Sequence, residues 1–219
     1  ALARYEKAHG TKDGITGVGS GYHDLDRLTG GFQNSDLIYI AGRPSMGKTA
    51  FALSIALNCN EQTPVGIFSL EMSEQQLMDR LIAAASDVDG HRLRTGRLDE
   101  TEWKKVIQGG SKLSTSRIWI DDSSSLSILQ IRAKARKMKR EHGIGLFVVD
   151  YLQLASAKAE SREREIGVIS AGLKSLAKEI NTPVIALAQL NRDVEKRNDK
   201  RPMLSDLRES GNLEQDADL

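Results

Sequence analysis

The eight residues from Gly42 to Thr49 read Gly-Arg-Pro-Ser-Met-Gly-Lys-Thr and match the pattern G-x-x-x-x-G-K-[ST] at every fixed position. The apolar run 37–41 before them is rich in β-forming residues, and 50–57 after them has a helical composition. A chance glycine turn with a solvated lysine would not need this strand, loop and helix order. The motif therefore predicts a nucleotide-binding loop within an α/β domain.

Each residue type in this loop has its own physical reason. Gly42 and Gly47 let the backbone turn tightly and approach a phosphate without a Cβ in the way. The helix that begins near Lys48 directs its unpaired N–H groups and the positive end of its dipole at the anion. Lys48 can place its charge on the β- and γ-phosphates, and the Thr49 hydroxyl can ligate Mg²⁺. The predicted ligands are ATP and Mg²⁺.

Composition excludes several classes of protein. The 219 residues include 31 Lys and Arg against 30 Asp and Glu, so a generally basic nucleic-acid-binding surface is excluded and any such contact must be local. The single cysteine, Cys59, lies in an apolar helical pattern, which favours core packing over a disulfide or a metal site. No apolar run reaches the roughly 18 residues of a membrane span, and no signal-peptide core is present. We therefore expect a cytoplasmic protein without membrane contact.

Three further apolar runs each end in a polar residue. Segment 65–70 ends at Glu71, 146–149 at Asp150 and 184–188 at Gln189. Such unbroken runs predict a mostly parallel sheet with helices on both faces, in which residues just past the strand ends line a ligand crevice. Asp150 matches the acid that holds Mg²⁺ in nucleotide hydrolases. Glu71 either orients the attacking water or only favours the next helix, and Gln189 is either a γ-phosphate contact or a simple polar strand end.

Helix signals accompany these strands. Capping boxes begin at Ser73, Asp99 and Ser127, and Trp103 is interpreted as a packing residue of the second of these helices. Arg80 lies off the apolar stripe of the first and by default is a solvated arginine. The third helix is strongly basic, which a solvated helix face explains as well as DNA binding does.

In chain order, several segments resemble the successive helicase motifs of the DnaB family. These segments are Gly42 to Thr49, Ser69-Leu70-Glu71-Met72, Asp150-Tyr151-Leu152-Gln153-Leu154, Ala188-Gln189-Leu190-Asn191-Arg192 and Ser205-Asp206-Leu207-Arg208-Glu209-Ser210-Gly211. The resemblance implies a RecA-like P-loop ATPase domain of a replicative DNA helicase. It implies a homo-hexamer that translocates on single-stranded DNA and, through the full-length protein, contacts with primase and a helicase loader.

The resemblance also assigns roles to residues. It implies that Lys48 and Thr49 bind phosphate and metal, that Glu71 activates water, and that Asp150 secures the Mg²⁺. Gln189 corresponds to a γ-phosphate sensor. The implied nucleotide contacts are Gly42, Ser45, Met46, Gly47, Lys48, Thr49, Ala50 and Arg80. The implied DNA-gripping residues are Arg208, Glu209 and Gly211.

Two departures from the family pattern shape the expectation. Residues 1–13 resemble only the end of a linker helix and linker before an ATPase domain at 14–219, without the amino-terminal domain that contacts primase. The family's arginine finger lies beyond Leu219, so this piece is expected to bind ATP but hydrolyse it slowly. The alternatives are a nucleotide-switched oligomerising ATPase of the KaiC type and a recombinase of the RecA type. Strand displacement would separate the helicase from both.

Overall fold

A computed structural model describes residues 14–152, 155–157, 159–207 and 213–219. Within these ranges, parallel strands form one sheet in the order β1-β5-β4-β2-β3. The strands are β1 Leu37–Gly42, β2 Val65–Ser69, β3 Ile118–Asp121, β4 Leu146–Asp150 and β5 Val184–Gln189. The pairing register sets Gly42 opposite Gln189 and Ser69 opposite Asp150. Val149 pairs with Ala186, so β5 and its partner β1 extend two residues beyond the ends of β4 and β2. The carboxyl ends of these four neighbouring strands therefore lie at the same edge of the sheet.

Helices connect the strands, and their amino-terminal ends follow the predicted capping boxes at Ser73, Asp99 and Ser127. The helices are α1 His23–Thr29, α2 Lys48–Cys59, α3 Glu74–Ser86, α4 Gly90–Thr95, α5 Glu100–Ser114, α6 Ile128–His142, α7 Arg162–Ile180, α8 Asp193–Lys196 and α9 Leu213–Asp216, with a 3₁₀ turn at Leu204–Leu207. None of the helices described combines the length and apolarity that a membrane crossing requires.

Two hydrophobic cores cover the two faces of the sheet. Phe147 and Val149 of β4 pack into the core shared with α6 and α7, while Leu146 and Val148 pack into the core shared with α2 and α3. Successive residues of a strand point to opposite faces, so an unbroken apolar strand serves both cores. This confirms the predicted α/β class. Polar groups that follow these strands are excluded from both layers and are left at the edge of the sheet.

The packing role predicted for Trp103 is wrong, because its side chain is 55% exposed. Helix α5 instead approaches α3 through Gly109, where an added Cβ would lie 3.0 Å from the backbone nitrogen of Ser86. Leu113, one turn further along, is buried on the same side. Trp103 lies about 120° around the helix from Gly109 and about 80° from Leu113, and so it is directed away from the centre of the contact.

Several cations of the basic helix α6 form ion pairs with neighbouring elements. Arg132 and Arg136 both bind Glu179 of α7, at 2.8 and 2.7 Å, and Lys134 binds Asp121 of β3 at 2.5 Å. Cys59 is 6% exposed within the α2 core, which confirms its packing role. These three pairs attach α6 to α7 and β3.

Candidate active site

A cavity of about 450 Å³ opens at the carboxyl ends of β1, β2, β4 and β5. It is lined by Pro44, Ser45, Gly47, Lys48, Thr49, Glu71, Met72, Gln76, Arg80, Asp150, Tyr151 and Gln189. The structure thus brings the lysine and threonine of the loop, both predicted acids, the arginine of α3 and the glutamine of β5 to one place. This is the crevice position expected for a ligand of an open parallel sheet.

The loop between β1 and α2 is shaped by left-handed backbone. Gly47 has φ 87° and forms the N-cap of α2, and Ser45 also has a positive φ of 65°. A side chain at Gly47 would be strained by that conformation. At Gly42 an added Cβ would lie 3.3 Å from Lys48 Cγ, so glycine there lets the loop close over the lysine stem.

The Lys48 ammonium is held at the base of this loop. It donates to the carbonyl oxygen of Gly42 at 2.9 Å and to that of Arg43 at 3.4 Å. Burial lowers the pKa of Lys48, and attraction to Asp150 and Glu71 acts in the opposite direction. An ammonium has three donors, so after these two bonds one remains for an anionic oxygen in the cavity.

Thr49 and Asp150 both line the cavity and contact each other. The Thr49 hydroxyl donates to Asp150 Oδ2 at 2.8 Å, and Asp150 is only 3% exposed. Burial raises the pKa of Asp150, the hydrogen bond from Thr49 lowers it, and the charge of Glu71 raises it. Adjacent hydroxyl and carboxylate oxygens are the hard ligands that Mg²⁺ prefers.

No three His, Cys, Asp or Glu side chains in the described part of the chain cluster as a self-sufficient metal site. A Mg²⁺ ion that keeps several waters and binds substrate phosphates needs only one or two protein oxygens. Thr49 and Asp150 can supply these, so the donor set fits a magnesium nucleotide.

Glu71 lies on a short loop in which the residues before and after it are held by hydrogen bonds. The buried hydroxyl of Ser69 donates to the carbonyl of Met72 at 2.7 Å and accepts from the Met72 N–H at 3.2 Å. The Leu70 N–H donates to the Asp150 carbonyl at 2.6 Å. The residues on either side of Glu71 are thus tied down while its own side chain is exposed to the cavity.

Some predicted contacts lie elsewhere. Gly42 is buried and is not among the lining residues. Met46 is 70% exposed and does not line the cavity either, and Ala50 lines a neighbouring cavity of about 480 Å³. Arg80 lines both cavities, so it borders the predicted nucleotide site and is not simply a solvated surface arginine. The predicted DNA-gripping residues Arg208, Glu209 and Gly211 lie outside the described residues.

Sequence reasoning missed other residues of the site. Pro44, Met72, Gln76 and Tyr151 line the cavity, and Ser69 holds the Glu71 loop. The sequence signals for these residues are weak: Gln76 stands three residues after Ser73, where a capping box already accounts for it, and Ser69 is a hydroxyl two residues before a strand-end acid. Burial raises the pKa of the Tyr151 phenol, and the charges of Glu71 and Asp150 raise it further.

Comparison with known proteins gives one family. The family model described as "DnaB-like helicase C terminal domain" matches residues 17–219 of this chain. The replicative DNA helicase DnaB of Geobacillus stearothermophilus is 51% identical over 219 residues, which cover 98% of this chain and 48% of that protein. The DnaB helicase of Rickettsia typhi is 50% identical over 233 residues, covering 100% of this chain and 47% of that protein. The chain thus spans about half the length of these curated relatives.

Solved structures give the same fold. One, described as an ATPase domain, has a TM-score of 0.93 and 44% identity, covering 99% of this chain and 79% of that one. A DnaB-like replicative helicase, solved with a description of its interactions with primase, has a TM-score of 0.92 and 44% identity over 99% of this chain and 54% of that one. The fold is therefore RecA-like, as the sequence predicted.

Proposed function

Because the chain belongs to the family of DnaB-like helicase C-terminal domains, we propose that it is the ATP-hydrolysing motor domain of a replicative DNA helicase. In this proposal ATP hydrolysis drives translocation on single-stranded DNA and unwinding of the duplex at the replication fork. We assign the motor to residues 14–219 and the end of a preceding linker to residues 1–13.

The observation that carries the proposal is the convergence of Lys48, Thr49, Glu71, Asp150 and Gln189 on one cavity. Each side chain supplies a different part of phosphoryl-transfer chemistry, and the parts come from four separate strand ends. A protein that binds a nucleotide without hydrolysing it needs only Lys48 and Thr49. The strand-end acids Glu71 and Asp150 and the amide of Gln189 favour a hydrolase in which another part of the protein responds to the bound nucleotide.

The residues act as follows in this proposal. Lys48 and the amino-terminal end of α2 hold the phosphates, and Thr49 with Asp150 holds Mg²⁺, which when bound neutralises charge on the phosphate oxygens. Glu71 accepts a proton from the attacking water at its carboxylate. Catalysis is thus mainly positioning and electrostatic stabilisation by a preformed set of side chains.

Gln189 connects the site to DNA. Its amide lies at the cavity, and the chain continues directly from it into segment 190–207 and then to Arg208, Glu209 and Gly211. An arginine and a glycine N–H can hold DNA phosphates without reading bases. We propose that Gln189 senses the γ-phosphate and shifts this segment. Arg80, on α3, completes the nucleotide contacts.

The proposed assembly is a homo-hexameric ring in the bacterial cytoplasm. We propose single-stranded DNA as its track, and primase and a helicase loader as partners of the full-length protein. The related DnaB-like helicase described with its primase interactions supports the primase part of this proposal.

Strand displacement tests the function. The full-length protein, ATP and Mg²⁺ are incubated with a fork-shaped duplex carrying single-stranded tails, and release of the labelled strand is measured. Wild type should displace the strand and Lys48→Ala should not. ATP-dependent filament formation or nucleotide-dependent assembly without displacement would favour a recombinase or a KaiC-type ATPase and overturn the helicase proposal.

A further inference from the structure

Arg43 occupies the second position of the phosphate loop, yet its side chain does not line the cavity. Its carbonyl oxygen accepts from Lys48 Nζ at 3.4 Å and from the Met46 N–H at 3.3 Å, so its backbone is part of the phosphate-binding geometry. Its guanidinium turns the other way. Nη1 donates to the Leu190 carbonyl at 2.9 Å, and Nε donates to Glu195 Oε1 at 2.7 Å.

The residues that Arg43 contacts belong to a segment with its own internal bonds. Val194 of α8 is buried, and the Asn191 N–H donates to the Asp206 carbonyl at 2.9 Å. The Asp206 carboxylate in turn accepts from the Met203 N–H at 2.8 Å and from Arg197. Residues 190–206 are therefore connected across the segment, which ends just before Arg208, the first of the predicted DNA contacts.

We propose that the Arg43–Glu195 ion pair is a positioning contact that links the phosphate loop to segment 190–207 and so couples nucleotide binding to DNA binding. The inference rests on the proposed function and adds a second connection beside Gln189. A change in how the loop holds a phosphate moves the Arg43 backbone, and the rigid guanidinium transmits that movement to α8.

The geometry favours coupling over a purely structural role. The Arg43 side chain is 12% exposed and its planar fork engages two acceptors, which fixes its direction. Glu195 is 56% exposed, so solvent screens the pair and its loss is expected to change folding stability little. The hydrogen bond from Arg43 also lowers the pKa of Glu195, as expected for a carboxylate that faces a guanidinium.

The test measures coupling directly in the full-length protein. The Kd for a fluorescent oligothymidine is measured with Mg²⁺ in the absence and presence of a non-hydrolysable ATP analogue, and the ratio is the coupling factor. The Kd of the analogue with and without DNA should give the same factor, since coupling is reciprocal. Glu195→Gln should reduce the factor by about fivefold or more. Its Kd for the analogue without DNA should stay within about twofold of wild type.

Asp193→Asn is the matched control, because Asp193 lies on the same helix and pairs only with the exposed Lys196 among the contacts described. It should leave the coupling factor unchanged. Arg43→Gln should lower the factor at least as much as Glu195→Gln, and the double variant should be no worse than Arg43→Gln alone.

The possible failures are distinguishable. A wild type whose DNA affinity does not depend on nucleotide would remove the proposed function together with this inference. A coupled wild type with an equally coupled Glu195→Gln would overturn the inference alone, and a lowered unfolding midpoint in that variant would then identify the pair as structural.

Discussion

The Thr49 hydroxyl donates a 2.8 Å hydrogen bond to Asp150, 101 residues further along the chain. It joins the first turn of α2 to the carboxyl end of β4, so the phosphate loop and the acidic strand end are positioned as one unit. Because the same two oxygens are the proposed magnesium ligands, this contact links the fold to the metal requirement.

Thr49→Val preserves the shape of the side chain but removes the hydroxyl. It should weaken Mg²⁺-dependent ATP binding by about 10–100-fold, the range typical of lost metal-orienting contacts. Thr49→Ser, which keeps the hydroxyl, is the control. Calorimetric titration of ATP at several Mg²⁺ concentrations measures the effect, and equal Mg²⁺ dependence in both variants would contradict the assignment.

Ser69→Ala tests the support of the Glu71 loop. The two hydrogen bonds to Met72 are worth about 1 kcal/mol each, so we expect kcat for ATP hydrolysis to fall by up to about 30-fold if both position Glu71. The Kd for ATP should stay within about twofold, because Ser69 does not line the cavity. Glu71→Gln sets the scale, with an expected loss of about 10²-fold or more in kcat.

The control for Ser69 is Ser175→Ala, whose exposed hydroxyl bonds only to the Ala171 carbonyl of its own helix among the contacts described. Steady-state kinetics of the full-length protein with and without DNA separate kcat from KM. A Ser69→Ala protein with wild-type kcat would show that the loop holds Glu71 without the hydroxyl.

Gln189→Ala tests the proposed sensor. Nucleotide binding should remain, because the phosphate loop and Asp150 are unchanged, but stimulation of ATP hydrolysis by single-stranded DNA should be lost in the full-length ring. The ratio of ATPase rates with and without DNA measures this, with nucleotide affinity measured in parallel. Undiminished stimulation would count against Gln189 as the link.

The fold and the centre of the site could be predicted from local patterns. Gly42 to Thr49 is a contiguous motif, and the apolar strands that end at Asp150 and Gln189 meet at one edge because parallel strands end together. The Arg43–Glu195 pair could not be predicted, since 152 residues separate its members. Nor could the exposure of Trp103, which depends on the close approach of α5 at Gly109.

The Asp121–Lys134 pair tests the structural role of the basic helix α6. Burial alone would raise the pKa of Asp121, but hydrogen bonds from Lys134 and Ser123 outweigh it and hold the pKa below its ordinary value. A lowered carboxyl pKa stabilises the fold above the unfolded value of 3.8, and this stabilisation is lost as the pH falls through the native value.

Asp121→Asn should therefore be less stable than wild type at neutral pH, and the difference should disappear in acid. Since Lys134 is 38% exposed, solvent screening limits the loss to about 1 kcal/mol or less. Urea unfolding between neutral pH and about pH 2 checks this, with Asp193→Asn as an exposed control. A constant difference across that range would show that charge is not responsible.

Cys59 provides a single-site probe of the α2 core, because the chain contains one cysteine. Burial raises the pKa of its thiol to about 12 from an ordinary value of 9.0. Alkylation requires the thiolate, so native protein near pH 8 should react with iodoacetamide only through opening of the core. Unfolded protein in urea should react at the rate of a free thiol. Mass spectrometry of timed samples measures both rates.

Nucleotide binding should slow the native rate of Cys59 alkylation further, since α2 carries Lys48 and Thr49 at its other end. Rapid native alkylation would show that the core around Cys59 is open.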